Sequence, residues 1–114
     1  MDYVESALRV SLSQMGKRIN QINHDDGWEV VHPSEWTGNK YKIPAILALI
    51  HSEVSEALED YRKNDVEHFK EELADIFIRL LDLSSGLSID LAQAVIDKCE
   101  KNKSRGYKHG GKTV

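Results

Sequence analysis

The sequence lacks any long apolar run and has a single cysteine, and both features restrict the class of protein. No stretch approaches the ~20 apolar residues that a membrane-spanning helix needs. The N-terminus, MDYVESALRV, carries acids where a signal peptide would have a basic region and an apolar core. Cys99 has no second cysteine for an internal disulfide, and its apolar helical surroundings predict a buried thiol. Together these features predict a cytoplasmic protein.

The sequence also lacks the alternation of apolar and polar residues that predicts strands. It contains no internal repeat and no DNA-reading motif. A length of 114 residues predicts one domain, and 40% apolar with 30% charged residues is typical of a globular protein. The charge is unevenly distributed, because the last part of the chain is basic. Its cations are Lys98, Lys101, Lys103, Arg105, Lys108 and Lys112, against the single acid Glu100. A solvated end is one interpretation of this segment, and binding of a nucleic acid polymer is not expected, because no basic surface with interleaved aromatic residues accompanies these cations.

Apolar residues recur at spacings of three and four, which predicts helices along most of the chain. The predicted helices cover residues 3–23, 43–63, 66–85 and 89–104. Asn64 and Asp65 supply a stop and a new N-cap, Gly86 suits a C-terminal cap, and Ser88 can cap the last helix. The sequence therefore predicts a single all-α domain over residues 1–114 with a four-helix architecture.

Two segments are predicted to lie outside the helices. Residues 24–42 contain two glycines and a proline, and a loop of this length in a compact domain is often functional. Residues 105–114 contain three glycines and several cations, and they are predicted to form a mobile basic tail.

Two acidic pairs lie symmetrically about the turn at Asn64. Glu56 precedes Asn64 by eight residues and Glu72 follows it by eight, while Glu53 and Asp75 stand eleven residues away on either side. In an antiparallel hairpin, equal rise per residue brings each acid level with its counterpart. Four carboxylates beside a core repel one another, and a divalent cation such as Mg²⁺ or Mn²⁺ would remove that cost. The alternative is a solvated acidic surface with Lys63, Lys70 and Arg79 as ordinary salt-bridge partners.

The last predicted helix carries a second polar face. Lys98, Asn102 and Arg105 stand at i, i+4 and i+7, and Lys108 follows among glycines. These groups suit a polyphosphate, because cations and amides donate hydrogen bonds to phosphate oxygens and glycines admit a phosphate close to the backbone. A helix end that simply favours cations through its dipole is the alternative.

These stretches resemble the MazG-like all-α nucleoside triphosphate pyrophosphohydrolases. The resemblance lies in LIHSEVSEALEDYR, EELADIFIRLLDL and KCEKNKSRGYKHGGK, over residues 43–112. It implies a four-helix bundle completed by oligomerisation, as a homodimer or homotetramer. It also implies Mg²⁺-dependent cleavage of a nucleoside triphosphate between the α- and β-phosphates, giving monophosphate and pyrophosphate. We expect this activity to clean the nucleotide pool. The family's Glu-x-x-Glu and Glu-x-x-Asp metal ligands fall on Glu53, Glu56, Glu72 and Asp75.

Further roles follow from this resemblance. Glu53 or Glu56 is expected to act as the general base, without a choice between them. Asn20, His24 and Trp28 are expected to bind the base, although packing or loop anchoring is an equal alternative for Trp28. Two other readings of the chain stay open: a helical interaction module, and a metal-binding regulatory dimer without turnover.

Overall fold

The computed structural model describes residues 2–104 and contains five helices within them. The helices are α1 (Tyr3–Asp25), α2 (Glu35–Gly38), α3 (Lys42–Arg62), α4 (Val66–Gly86) and α5 (Leu91–Ser104). Helices α3 and α4 form a hairpin, α1 packs against α4, α5 packs against α1, and α2 contacts α3. The described part of the chain contains no strand, so the all-α prediction is confirmed. None of its helices combines the length and the apolar character that crossing a membrane requires.

The one-turn helix α2 lies inside the segment that the sequence predicted as a loop. The four long helices agree with the prediction, with ends that differ by a few residues. Ser34 precedes α2 but makes no capping hydrogen bond through its side chain, and the segment has no extended apolar period. A helix this short has almost no sequence pattern, and its formation depends on contacts with the rest of the protein.

The turn between α3 and α4 follows the prediction. Asn64 adopts a left-handed conformation with φ of 57°, and Asp65 caps α4 by accepting a hydrogen bond from the His68 amide at 3.2 Å. Asn and Asp are favoured in these two roles because their short polar side chains satisfy the backbone locally. The turn therefore sets the antiparallel pairing of α3 and α4 through local interactions.

The connection between α4 and α5 differs from the prediction. Gly86 is the last residue of α4 rather than its left-handed cap, and the left-handed residue is Ser88, with φ of 59°. Asp90, not Ser88, caps α5 by accepting from the Gln93 amide at 3.0 Å. Gly86 is needed for space, because a Cβ atom there would lie 2.5 Å from the Val31 carbonyl oxygen.

Cys99 is exposed, so the expectation of a buried thiol is wrong for the single chain. Only the start of α5 packs on the rest of the protein, and every described residue after Ile96 is exposed. The apolar pattern around Cys99 therefore extends past the part of α5 that packs against another helix.

Many large apolar residues of α3 and α4 stay about half exposed, including Leu47, Leu49, Leu58 and Phe77. Leu81 is only 1% exposed and Leu83 is partly buried, so these two pack within the chain. The fully buried apolar residues are few: Val30, Val31, Ala57, Leu81 and Ala92. One described chain thus buries a small core and leaves apolar surface on the hairpin.

Replacing Gly86 with alanine should destabilise the protein. The added Cβ would overlap the Val31 backbone, and we expect a loss of about 1–3 kcal/mol in the free energy of unfolding. Chemical denaturation of both proteins measures this difference. Gly38→Ala is the matched control, because nothing lies within 4 Å of a Cβ at that position. Equal effects of the two substitutions would contradict the role of the close contact.

Candidate metal and nucleotide site

Glu56 and Glu72 lie together across the α3–α4 contact. The pKa of Glu72 is raised by partial desolvation first, then by the negative charge of Glu56 and an interaction with its carboxyl group. Asp75 and Asp60 add smaller contributions in the same direction. The turn thus brings Glu56 level with Glu72. It creates a region of negative charge that no cation within the described residues neutralises by an ion pair with Glu56, Glu72 or Asp75.

Glu53 has a different environment. Its Oε1 accepts a hydrogen bond of 2.6 Å from Arg79 Nε, one helical turn beyond Asp75 on α4. The Glu53 side chain is only 12% exposed, and its Oε2 is buried without a hydrogen-bond partner among residues 2–104. Arg79 therefore supplies Glu53 with a positive charge, which a metal ion was expected to supply. This contact agrees with the alternative prediction that Arg79 is an ordinary salt-bridge partner of the acids.

Within residues 2–104, no three His, Cys, Asp or Glu side chains form an arrangement ready to hold a metal ion. The donor chemistry nevertheless suits a hard divalent cation, because every candidate ligand is a carboxylate oxygen. The partnerless oxygen of Glu53 and the raised pKa of Glu72 both mark carboxylates that a cation would stabilise. The residues therefore fit Mg²⁺ by their chemistry, and Glu53 would have to share or leave Arg79.

An open groove of about 820 Å³ begins beside this acidic region. Arg79 lines the groove and also holds Glu53, so it connects the two features. Trp28 and Tyr41 provide aromatic surface, and both are largely exposed. The apolar part of the lining includes Ile46, Leu49 and Leu83. An aromatic groove next to acids has the chemistry to hold a nucleoside whose phosphates reach a metal ion.

The connection between α1 and α3 is held against the groove by Lys42. Its Nζ donates to the Val30 carbonyl oxygen at 2.8 Å and to Glu35 Oε1 at 3.1 Å. Glu35 also accepts from the His32 amide at 2.9 Å. The hydrogen bond from Lys42 is the main reason that the pKa of Glu35 is lowered. These contacts tie the segment between α1 and α3, including the first residue of α2, to the start of α3.

The three residues predicted to bind a base occupy different positions. Trp28 lines the groove, whereas Asn20 and His24 are not part of its lining. Asn20 instead donates from Nδ2 to Asp82 Oδ1 at 2.9 Å. His24 is exposed, with its Nδ1 3.5 Å from Asp25 Oδ1. Asn20 can therefore influence the groove only through Asp82.

The predicted phosphate face is described in part. Lys98 and Asn102 lie on the exposed end of α5, and Arg105 and Lys108 lie outside the described residues. Helix α5 packs mainly on α1 and makes no substantial contact with α3. Packing within the described chain therefore does not place this face against the acids.

Sequence reasoning assigned no site role to Arg79 or Asp82. Both are on α4, and with Asp75 they stand at i, i+4 and i+7, a spacing that places residues on one helix face. That spacing was a usable signal. The partners of Arg79 and Asp82 on α3 and α1 are separated from them by 26 and 62 residues, and no local pattern reveals such contacts.

Comparison with known families gives one result for this chain. The family model described as the MazG nucleotide pyrophosphohydrolase domain matches residues 42–109, which is more than half of the chain. The matched region contains the four predicted acids, Arg79, Asp82 and the polar face of α5. No curated protein and no solved structure matches the chain. The family match, the all-helical architecture and the paired acids of the hairpin together show that the chain belongs to the MazG nucleotide pyrophosphohydrolase family.

Proposed function

We propose that the protein is a Mg²⁺-dependent hydrolase that converts a nucleoside triphosphate to its monophosphate and pyrophosphate, in the cleaning of the nucleotide pool. The observation that carries this proposal is the uncompensated acidic region beside an aromatic groove, with Arg79 between them. Membership of a nucleotide pyrophosphohydrolase family supports the reaction class. Enzymes of this family generally depend on divalent metal ions.

Glu53, Glu56, Glu72 and Asp75 would hold the metal ion. Bound Mg²⁺ would neutralise phosphate charge and lower the pKa of a coordinated water. The chain's own contribution is to align carboxylates along the α3–α4 contact in a partly desolvated place. Mn²⁺ has the same preference for oxygen ligands and would serve as a substitute.

Glu53 and Glu56 are both retained as proposed proton acceptors. Glu53 keeps one buried oxygen without a partner, while its other oxygen binds Arg79. Glu56 is exposed and lies next to Glu72. A carboxylate must reach the attacking water with an uncommitted oxygen to accept its proton. Glu56 is exposed, whereas Glu53 would have to turn its buried oxygen toward the water.

Lys98, Asn102, Arg105 and Lys108 are proposed to bind the phosphates. Arginine and lysine donate charge-assisted hydrogen bonds to phosphate oxygens, and these are stronger than bonds between neutral groups. Since α5 packs on α1 rather than on α3, assembly of copies of the chain is one way to bring this face to the acids. We therefore include a homodimer or homotetramer in the proposal.

A helical dimer without turnover is the second candidate. The observation that favours it is the 2.6 Å contact between Arg79 and Glu53, because it engages an expected metal ligand. The two candidates differ in turnover, so a product assay separates them.

Mg²⁺ should stabilise the folded protein by binding to it. At ten times its Kd, a single ion contributes about 1.4 kcal/mol, which corresponds to several degrees in Tm for a domain of this size. Glu56→Gln, Glu72→Gln and Asp75→Asn should remove this rise in thermal denaturation. Glu67→Gln is the matched control on α4, since Glu67 is exposed and pairs with Lys70. If millimolar Mg²⁺ does not change the Tm of the wild type, the predicted four-carboxylate metal site is wrong.

Without a metal ion, Glu72→Gln should stabilise the folded protein rather than remove a stabilisation. The pKa of Glu72 is raised above 4.5 in the folded protein, so ionised Glu72 destabilises the fold at pH values above that raised pKa. In EDTA at pH 7.5, Glu72→Gln should therefore melt higher than the wild type. The difference should shrink as the pH falls through the raised pKa and should be absent well below 4.5, where Glu72 is protonated in both the folded and the unfolded state.

The bond that is cut is tested by the products. Hydrolysis in ¹⁸O-labelled water should give monophosphate and pyrophosphate in equal amounts, with the label in the monophosphate. Lys98→Ala should reduce kcat/KM by about tenfold or more, because a charged hydrogen bond to phosphate is lost. Lys103→Ala, on the opposite side of α5, is the control. Orthophosphate released with a nucleoside diphosphate would contradict the proposed reaction, and the absence of any product would favour the dimer without turnover.

Assembly is tested by the mass in solution. The half-exposed apolar residues of α3 and α4 predict a dimer or tetramer by light scattering at micromolar concentration. Phe77→Glu should shift the mass toward the monomer, since it places a charge within that surface. Trp36→Glu, an exposed aromatic residue on α2, should leave the mass unchanged. A monomeric wild type would refute the proposed assembly.

A further inference from the structure

Asp82 is a partly buried carboxylate in the groove, and among the described residues only neutral groups hold it. Its Oδ1 accepts from Asn20 Nδ2 at 2.9 Å, and its Oδ2 accepts from Asn23 Nδ2 at 3.0 Å. Within residues 2–104, no lysine, arginine or histidine forms an ion pair with it. A link between α1 and α4 alone would not require a charged residue, because amides or hydroxyls can join two helices.

The two asparagines orient the carboxylate without using all of its acceptor capacity. A carboxylate offers about four lone-pair sites, and each oxygen of Asp82 uses one of them on an amide. Asp82 also lines the groove, whereas Asn20 and Asn23 do not. The groove is therefore provided with a fixed group that can accept hydrogen bonds and cannot donate them.

The position of Asp82 relative to the acids suits a nucleoside. Asp82 follows Asp75 by seven residues on α4, which corresponds to about 10 Å of helix rise. Arg79 lies between them and binds Glu53. A nucleotide with its phosphates at the acids would extend along α4 and bring its base near Asp82.

Trp28 is coupled to the same helix end. Its backbone amide donates to the Asn23 carbonyl oxygen at 2.9 Å, while the Asn23 side chain holds Asp82. Asn23 therefore contacts both the backbone of Trp28 and the acceptor Asp82, and the side chains of these two residues line one groove. A ring that stacks on a base and an acceptor at the edge of the base are the two elements that base recognition requires.

We propose that Asp82 makes the groove select nucleotides whose base carries an exocyclic amine. This inference rests on the proposed function, because it concerns the base of the same substrate. The amines of cytosine and adenine donate hydrogen bonds, whereas thymine and uracil present a carbonyl oxygen at the corresponding position. An acceptor-only carboxylate pairs with the amine and meets the carbonyl oxygen with repulsion and an unsatisfied charge.

Binding of matched nucleotide pairs tests the proposal. The probes are dCMP against dUMP and dAMP against dIMP, since each pair exchanges an exocyclic amine for a carbonyl oxygen. Each nucleotide is titrated into the full chain in the presence of Mg²⁺, and the heat of binding is measured by calorimetry. The Kd of the amine-bearing member of each pair should be lower by on the order of 10- to 100-fold. Equal affinities within both pairs for the wild type would overturn the proposal without any variant.

Asp82→Asn separates recognition from a merely structural role. It keeps the shape of the side chain and replaces one acceptor with a donor, so the dCMP to dUMP affinity ratio should fall by tenfold or more. A loss of affinity that is equal for both nucleotides would show that Asp82 only joins α1 to α4. Asp25→Asn, on the exposed end of α1, is the control and should keep the wild-type ratio.

Two further measurements keep the outcomes distinct. If Asp82→Asn does not fold, Asn20→Ala frees one oxygen of Asp82 from its holder, and the ratio should fall by a smaller factor. An unchanged ratio in folded Asn20→Ala would count against the proposal. Correct products formed equally fast from dCTP and dUTP would refute the base selection alone, whereas orthophosphate release would refute the proposed reaction and leave the binding ratio as measured.

Discussion

The antiparallel register of α3 and α4 is the constraint on which the rest of the site depends. Asn64 and Asp65 set this register within a two-residue turn, and every later position on α4 is thereby assigned a height relative to α3. Glu72 meets Glu56 because of this register, and Arg79 reaches Glu53. A shift of one residue would rotate the facing positions of α4 by about 100° and separate all of these groups. The geometry of the candidate site is thus a consequence of a local backbone turn.

How far the sequence predicts the structure depends on the range of each interaction. The turn at Asn64 could be predicted because its stabilising contacts lie within five residues of one another. The role of Gly86 could not, because its reason is the backbone of Val31, and the sequence offered only a local explanation for this glycine. The four acids were placed on the hairpin by counting residues from the turn. The partner of Glu53 depends instead on which side chain of α4 is long enough to reach it. Counting residues from the turn does not distinguish Asp75 from Arg79 as that partner.

The first 41 residues contribute a large part of the groove although the family match begins at residue 42. Trp28 and the two asparagines belong to this N-terminal region, and Lys42 ties it to α3. The matched region by contrast carries the acids and Arg79. The groove is therefore a joint product of a segment with the family pattern and a segment outside it, which meet at the Asp82 carboxylate.

This division has a consequence for how such a protein can change. Substitutions before residue 42 can reshape part of the groove lining without altering any carboxylate of the hairpin, because the two sets of residues lie on separate stretches of chain. The contact of Val31 with Gly86 holds the N-terminal stretch at a fixed distance from α4 while its other side chains vary. Under the proposed function, the part of the groove that comes from the first 41 residues can therefore vary while the carboxylates of the hairpin stay the same, whereas Asp82 belongs to the hairpin itself.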